Sequence, residues 1–243
     1  MIYKARKGQV SYGEAIGIIL MDSFVPYIPG DVGNASTYSF PVRFQVAKGL
    51  TAERIFAKDP TLIDLLIEAG KELVKEGVKA VTADCGFLAF FQKELANQLE
   101  VPVFLSSLLQ VPFISRMLGD DEKVGIICAN SQVLDASLLE KVGIDSSIPI
   151  HIKGLENKEN FAKAILKEDG ILDSDKIEKE VVSSAKEMIQ EEPKVRAILL
   201  ECSDLPPYGA AVQEAVNLPV FDFITMINYV YSSVVKKRFQ GFL

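Results

Sequence analysis

Two residues suited to acid/base or nucleophilic work, Cys85 and Cys202, lie in segments of this 243-residue sequence that repeat one another. Residues 78–104 (VKAVTADCGFLAFFQKELANQLEVPVF) align without a gap on residues 195–221 (VRAILLECSDLPPYGAAVQEAVNLPVF), at a constant offset of 117 positions. Cys85 falls on Cys202, Leu88 on Leu205 and Pro102-Val103-Phe104 on Pro219-Val220-Phe221, while Asp84 and Glu201 form a conservative pair. Chance similarity of two amphipathic segments explains matched apolar positions but rarely matched cysteines. A free thiol has a pKa of ~8.5, lowered at helix N-termini, so one member of such a pair can be thiolate while the other stays thiol. Two thiols on opposite sides of a small molecule can remove a proton from one face of a carbon and deliver one to the other.

The elements that must carry these residues are short β-branched or aliphatic runs alternating with helical patterns. Residues 16–21, 78–83, 103–105, 124–128, 195–200 and 220–221 read as buried parallel strands, and the alternation indicates an α/β fold. One helix is expected to start with Asp59 as cap and Pro60 in its first turn, to keep Leu62, Leu66, Ala69 and Leu73 on one face, and to end before Gly77. A second runs over residues 175–190, with Ile177, Val181, Ala185 and Met188 as its apolar stripe. A further correspondence sets residues 17–23 (GIILMDS) over 125–131 (GIICANS), in the same order within each half.

The chain therefore reads as two pseudosymmetric lobes, each a parallel sheet flanked by helices, with a cleft between them. Lobe 1 is expected to comprise residues 1–118 plus 222–243 and to carry Cys85; lobe 2 comprises residues 119–221 and carries Cys202. Residues 119–122 (GDDE) interrupt the pattern at the boundary, and residues 223–238 read as a helix packing back on lobe 1. In open α/β sheets ligands bind at the carboxyl ends of the strands. Asp22, Ser23, Asn130, Ser131 and both cysteines belong there. Ser23, Asn130, Ser131, Ser203 and the loop N–H groups around Gly86 could hold a carboxylate and stabilise its enolate-like form. Asp22 and Asn130 equally suit local helix capping.

A net charge of −7 without a basic stripe argues against nucleic acid as a partner. The first ten residues lack the apolar core of a signal peptide, and no run approaches the ~20 apolar residues that span a bilayer, so a cytoplasmic location and no membrane partner are expected. Three cysteines without CxxC spacing point to reduced thiols rather than disulfides or a zinc site. Cys128, inside a strand, reads as a small hydrophobe. The single histidine, His151, lacks partners for a metal and suits an edge strand. No dinucleotide, Walker, Ser-elbow or zinc-protease motif occurs, and no cofactor is expected. The connection 26–50 is long and turn-rich. Arg43 within it is a candidate for binding a second substrate carboxylate, against a surface salt bridge as the plainer role.

The paired cysteines, with Asp22-Ser23 after the first strand and Cys202-Ser203-Asp204-Leu205 in the second half, resemble the aspartate/glutamate racemase superfamily over essentially the whole chain. The resemblance implies two α/β lobes, a catalytic cysteine in each, a homodimer and cofactor-independent chemistry. It also departs from the racemase pattern. Gly86-Phe87 stands where amino-acid racemases carry Asn-Thr, Asp204 replaces a histidine, and Asp84 and Glu201 precede the thiols, where carboxylates would raise thiol pKa values unless protonated or turned away. Phe87 adds an aromatic wall to the expected substrate site.

The expected activity is that of a cofactor-independent racemase or epimerase, an isomerase moving a proton at the carbon alpha to the carboxylate of a small amino acid or related acid, with Cys85 and Cys202 as opposed acid/base groups. Alternatives are a maleate isomerase-like or arylmalonate decarboxylase-like enzyme on a dicarboxylate, and a non-catalytic two-lobed metabolite-binding protein.

Overall fold

The computed structural model describes residues 2–242. Its central strands form where largely apolar runs allow burial on both faces, and every pairing between its strands is parallel. β1 (Ile16–Leu20), β2 (Val42–Val46) and β3 (Ala80–Ala83) make a three-stranded sheet in the order β2-β1-β3. β4 (Lys123–Cys128), β5 (Ile150–Gly154), β6 (Val195–Leu200) and β7 (Val220–Phe221) make a four-stranded sheet in the order β5-β4-β6-β7. Two parallel sheets flanked by helices are the α/β architecture that the alternation implied.

The internal repeat holds at the level of single hydrogen bonds. Val81 N–H donates to Pro102 O at 2.9 Å, and Ile198 N–H, 117 positions on, donates to Pro219 O at 2.9 Å. Asp84 N–H donates to Ile19 O at 3.1 Å, and Glu201 N–H to Ile127 O at 2.8 Å. Gly17 and Gly125 are equivalent too. A methyl group at Gly17 would lie 3.0 Å from Leu73, and one at Gly125 would overlap the Met188 sulfur and lie 2.9 Å from Val195. In each half the missing side chain lets a helix sit close on the central strand.

Three local expectations change. Residues 103–105 make only a bridge between Val103 and Val81, because the Gln92 side chain occupies the strand's polar groups: Leu105 N–H donates to its Oε1 at 2.8 Å and its Nε2 donates to Val103 O at 2.9 Å. The first long helix is Leu62–Lys75, with Thr61 rather than Asp59 at the N-cap. Asp59 accepts instead from Thr61 N–H, Thr61 Oγ1 and Arg54 Nε, closing the turn before the helix. The final helix is Phe223–Val234, so the basic residues 236–238 lie beyond it. The helix Ser174–Glu191 forms as expected, capped by Asp173.

β5 is the edge strand expected around His151, whereas β2 was not among the expected strands; both are half-buried edge strands, carrying Arg43, Gln45, His151 and Lys153. The C-terminal helix buries Phe223, Met226 and Ile227 against Ile16, Ile18, Ala80 and Phe104 on one face of the first sheet. Leu62, Leu66, Ala69 and Leu73 cover the other face, through Ile19 and Val81. No helix among the described residues is long and apolar enough to cross a membrane.

Candidate active site between the strand ends

β3 and β6 end at equivalent positions, Ala83 and Leu200, and the next two residues in each half are a buried acid and a cysteine. Both cysteines open onto one narrow cavity of about 50 Å³, walled from the first half by Ser23, Tyr27, Phe56, Asp84, Gly86 and Phe87 and from the second by Ala129, Ile165, Leu166, Glu168, Glu201, Ser203 and Asp204. Four carboxyl groups line it, and no Lys, Arg or His does. Phe56 and Phe87 meet edge to face at 5.5 Å between ring centres.

The polar groups are held by the strand ends. Asp84 accepts from Met21 N–H at 2.9 and 3.2 Å and from the Tyr27 hydroxyl at 3.2 Å, and Tyr27 Oη lies 2.6 Å from Ser23 Oγ. Ser203 Oγ donates to the Asp84 carbonyl, and Ser107 Oγ reaches the carbonyls of Leu200 and Glu201 at 3.2 and 3.1 Å, so buried serines join the two halves across the site. Cys202 Sγ lies 3.2 Å from Asp204 Oδ2. Asp204 lies beside Asp31, a buried residue whose Oδ1 accepts from Gly33 N–H at 2.7 Å.

Burial with little compensating positive charge decides the electrostatics. It pushes both thiols well above their ordinary range. Glu201 and Asp84 add repulsion at Cys85, and Asp204 and Glu201 at Cys202. Burial also drives the Asp84 carboxyl up to about 7, against the favourable Met21 N–H, and the Glu201 carboxyl up to about 8, against the Ala129 N–H. Asp31 and Asp204, buried side by side, are both raised because two adjacent carboxylates cannot both ionise cheaply. These causes favour the protonated forms of both thiols and of Glu201 at neutral pH.

The candidate residues from sequence separate into two groups. Cys85, Cys202, Ser23, Gly86, Phe87, Ser203 and Asp204 line the cavity. Asp22, Asn130, Ser131 and Arg43 do not. Asp22 accepts from Gly49 N–H at 3.0 Å, Asn130 from Gln132 N–H at 3.0 Å, and Ser131 Oγ bonds Glu156 at 2.5 Å, each fixing a loop. Arg43 is paired in register with Gly17, toward the start of β1, whereas the cavity lies past its end; its guanidinium bridges Glu76 at 3.1 Å and Glu14 at 3.7 Å. The surface salt bridge is therefore Arg43's role. The Ser203 hydroxyl, on the cavity wall, donates to the Asp84 carbonyl and so joins the halves.

Tyr27, Asp31, Phe56 and Glu168 were missed. Asp31 stands in a turn-rich stretch with nothing in the sequence to pair it with Asp204. Glu168 arrives from lobe 2 to accept from Phe24 N–H at 2.9 Å. The pairing of Asp84 with Glu201 in the repeat was the available signal for the acid cluster.

The fold is that of the aspartate/glutamate racemase superfamily. Allantoin racemase from Pseudomonas fluorescens superposes with a TM-score of 0.60 at 16% identity over 91% of each chain. An arylmalonate decarboxylase gives 0.59 at 15% identity, covering 90% of this chain and 91% of that one. The aspartate racemase of Picrophilus torridus gives 0.56 at 16% identity over 94% and 96%. No family model matches the sequence.

Curated relatives narrow the assignment. The dimethylsulfoniopropionate lyase of Durusdinium sp. clade D is 33% identical over 222 residues, 88% of this chain and 73% of its own. Dimethylsulfoniopropionate lyases 5 and 3 of Emiliania huxleyi are 32% and 31% identical over about nine-tenths of this chain, which spans 45% and 60% of their length. The chain belongs to the dimethylsulfoniopropionate lyase family. It is thus related to enzymes named as lyases, which overturns the expectation of an amino-acid racemase or other isomerase. The physical reason is visible in the cavity: nothing cationic lines it to hold the two carboxylates of aspartate or glutamate.

Proposed function

We propose that this chain cleaves dimethylsulfoniopropionate, (CH3)2S⁺–CH2–CH2–COO⁻, by β-elimination. A base removes a proton from the carbon beside the carboxylate, the released pair forms the new carbon–carbon double bond, and the C–S bond breaks with its pair going to sulfur. The products are acrylate and neutral dimethyl sulfide. The proton stays on the protein until it passes to solvent, and neither water nor an oxidant is consumed.

The observation that carries this reading is the charge of the cavity wall. Asp84, Glu168, Glu201 and Asp204 with no basic side chain, and the rings of Phe56, Phe87 and Tyr27 beside them, suit a ligand that brings a positive charge. A sulfonium does so. Its arrival also opposes the burial and repulsion that keep the thiols protonated, so the substrate promotes formation of its own base. The Ser23 hydroxyl on the cavity wall is the donor for the substrate carboxylate, turning to it from Tyr27 Oη, whose own proton is held by Asp84.

An elimination of this kind needs one base and, because the leaving group is neutral, no acid on the opposite face. The two thiols then have unequal roles. Cys202, 3.2 Å from Asp204 Oδ2, has an acceptor for its own proton and is assigned as the base. Cys85 forms the opposing wall as a neutral thiol.

Incubating the protein with dimethylsulfoniopropionate should release dimethyl sulfide, read by headspace gas chromatography, with an equal amount of acrylate by proton NMR. Folded protein that releases no more dimethyl sulfide than its Cys202→Ala variant would rule out the assignment.

A further inference from the structure

The carboxyl of Glu201 is anomalous among the buried acids. It is fully buried, and neither oxygen makes a hydrogen bond of normal geometry, although it forms part of the cavity wall. Leaving such a group unsatisfied is costly, and folded proteins seldom do so without a use for it. The space it fills is reserved for it. A methyl group added at Gly86, the residue after Cys85, would overlap Glu201 Oε1 and lie 2.6 Å from the Glu201 carbonyl oxygen. Any side chain at position 86 would therefore displace the carboxyl. The glycine that looked in the sequence like a missing substrate contact is the complement of an acid arriving from the other half of the molecule.

We propose that Glu201 is the counter-charge for the substrate's sulfonium group, and that Gly86 is glycine to leave room for it. The inference rests on the lyase reading and adds which residue recognises the cation. Several titratable groups surround this carboxyl: Cys85 from the end of β3, Cys128 from β4, and Cys202 and Asp204 from its own loop. None of them is a cation, so these neighbours favour a protonated Glu201, and a bound sulfonium favours its ionised form. Binding the cation then expels a proton from Glu201, and binding a neutral group of the same shape does not. The protein recognises charge at the leaving group, which separates a sulfonium from the thioether and branched-alkyl acids that otherwise resemble it.

The test uses a matched pair of acids that cannot undergo the elimination: dimethylsulfonioacetate and 3-methylbutanoate, an isostere with the same carboxylate but a neutral CH in place of the sulfonium. Titration calorimetry near pH 6.5, in buffers of different ionisation enthalpy, reads affinity and proton release together. The wild-type protein should prefer the sulfonium on the order of tenfold or more and release up to about one proton per ligand. Glu201→Gln keeps the shape and should lose both the preference and most of the proton release. Gly86→Ala leaves the acid in the sequence but displaces it, and should lose the preference as well. Circular dichroism confirms that each variant is folded. A Glu201→Gln protein that keeps the wild-type preference overturns the proposal, as does a wild type that binds both acids equally or neither. Dimethyl sulfide release from dimethylsulfoniopropionate is scored separately. A wild type with the charge preference but no release defeats the lyase reading alone, and one that releases dimethyl sulfide while Glu201→Gln retains the preference defeats this inference alone.

Discussion

Cys202 and Asp204 form a hydrogen-bonded pair: Sγ lies 3.2 Å from Oδ2, and the carboxyl is packed beside buried Asp31. Cys85 has no carboxylate bonded to its sulfur in this way. Its charged neighbours, Glu201 and Asp84, only repel a thiolate there. The pseudosymmetry of the fold therefore does not extend to the chemistry of its two thiols.

That asymmetry predicts unequal losses. Cys202→Ala should lower kcat for dimethyl sulfide release by about 10² to 10⁴, the range for removing a positioned base. Cys85→Ser should cost less than about tenfold. Equal losses in the two variants would restore a symmetric two-thiol mechanism.

Asp204→Asn removes the proton acceptor of Cys202 and also a negative charge that raises its pKa. The maximal rate should fall by about ten- to a hundredfold. The rising limb of the pH–rate profile should move to lower pH, since the thiol then ionises more easily. A fall in rate with an unmoved limb would indicate a merely structural role for Asp204.

Stability should decline with rising pH. The raised carboxyls of Asp84, about 7, and Glu201, about 8, hold protons in the folded state that the unfolded chain gives up near the ordinary carboxylate pKa. Their contribution is fully present below about pH 4 and is lost as pH rises through about 7 and then about 8. Thermal melts from pH 5 to pH 9 should show a falling Tm, and Glu201→Gln should flatten part of the slope. A Tm that rises across this window would show these acids to be ionised in the fold.

Gly125→Ala should destabilise the protein by about 1 to 3 kcal/mol in urea unfolding, the cost of overpacking a core. The added methyl overlaps the Met188 sulfur and lies 2.9 Å from Val195. Gly17→Ala, whose methyl finds Leu73 at 3.0 Å, should cost less.

Much of the fold is legible because parallel strands buried on both faces need largely apolar runs, which the strands β1, β3, β4 and β6 have. β2 and β5 are less legible because an edge strand, paired on one side only, can carry Arg43 or Lys153. Of the cavity's lining, the cysteines, Ser23, Gly86, Phe87, Ser203 and Asp204 were legible from the repeat and from their places after strands. Arg43 was misplaced, since strand register decides which end of a sheet a residue occupies.

By itself the sequence determined that the molecule is built twice over, with a thiol and a preceding acid after a strand in each half. Those features follow from local pattern and repetition, which the order of residues records directly. Only the tertiary structure decided that Glu201 fills the space over Gly86, that Asp31 meets Asp204, and that no basic residue lines the cavity. Each is a relation between residues far apart in the chain, and the sign of a cavity's charge depends on which side chains packing turns inward.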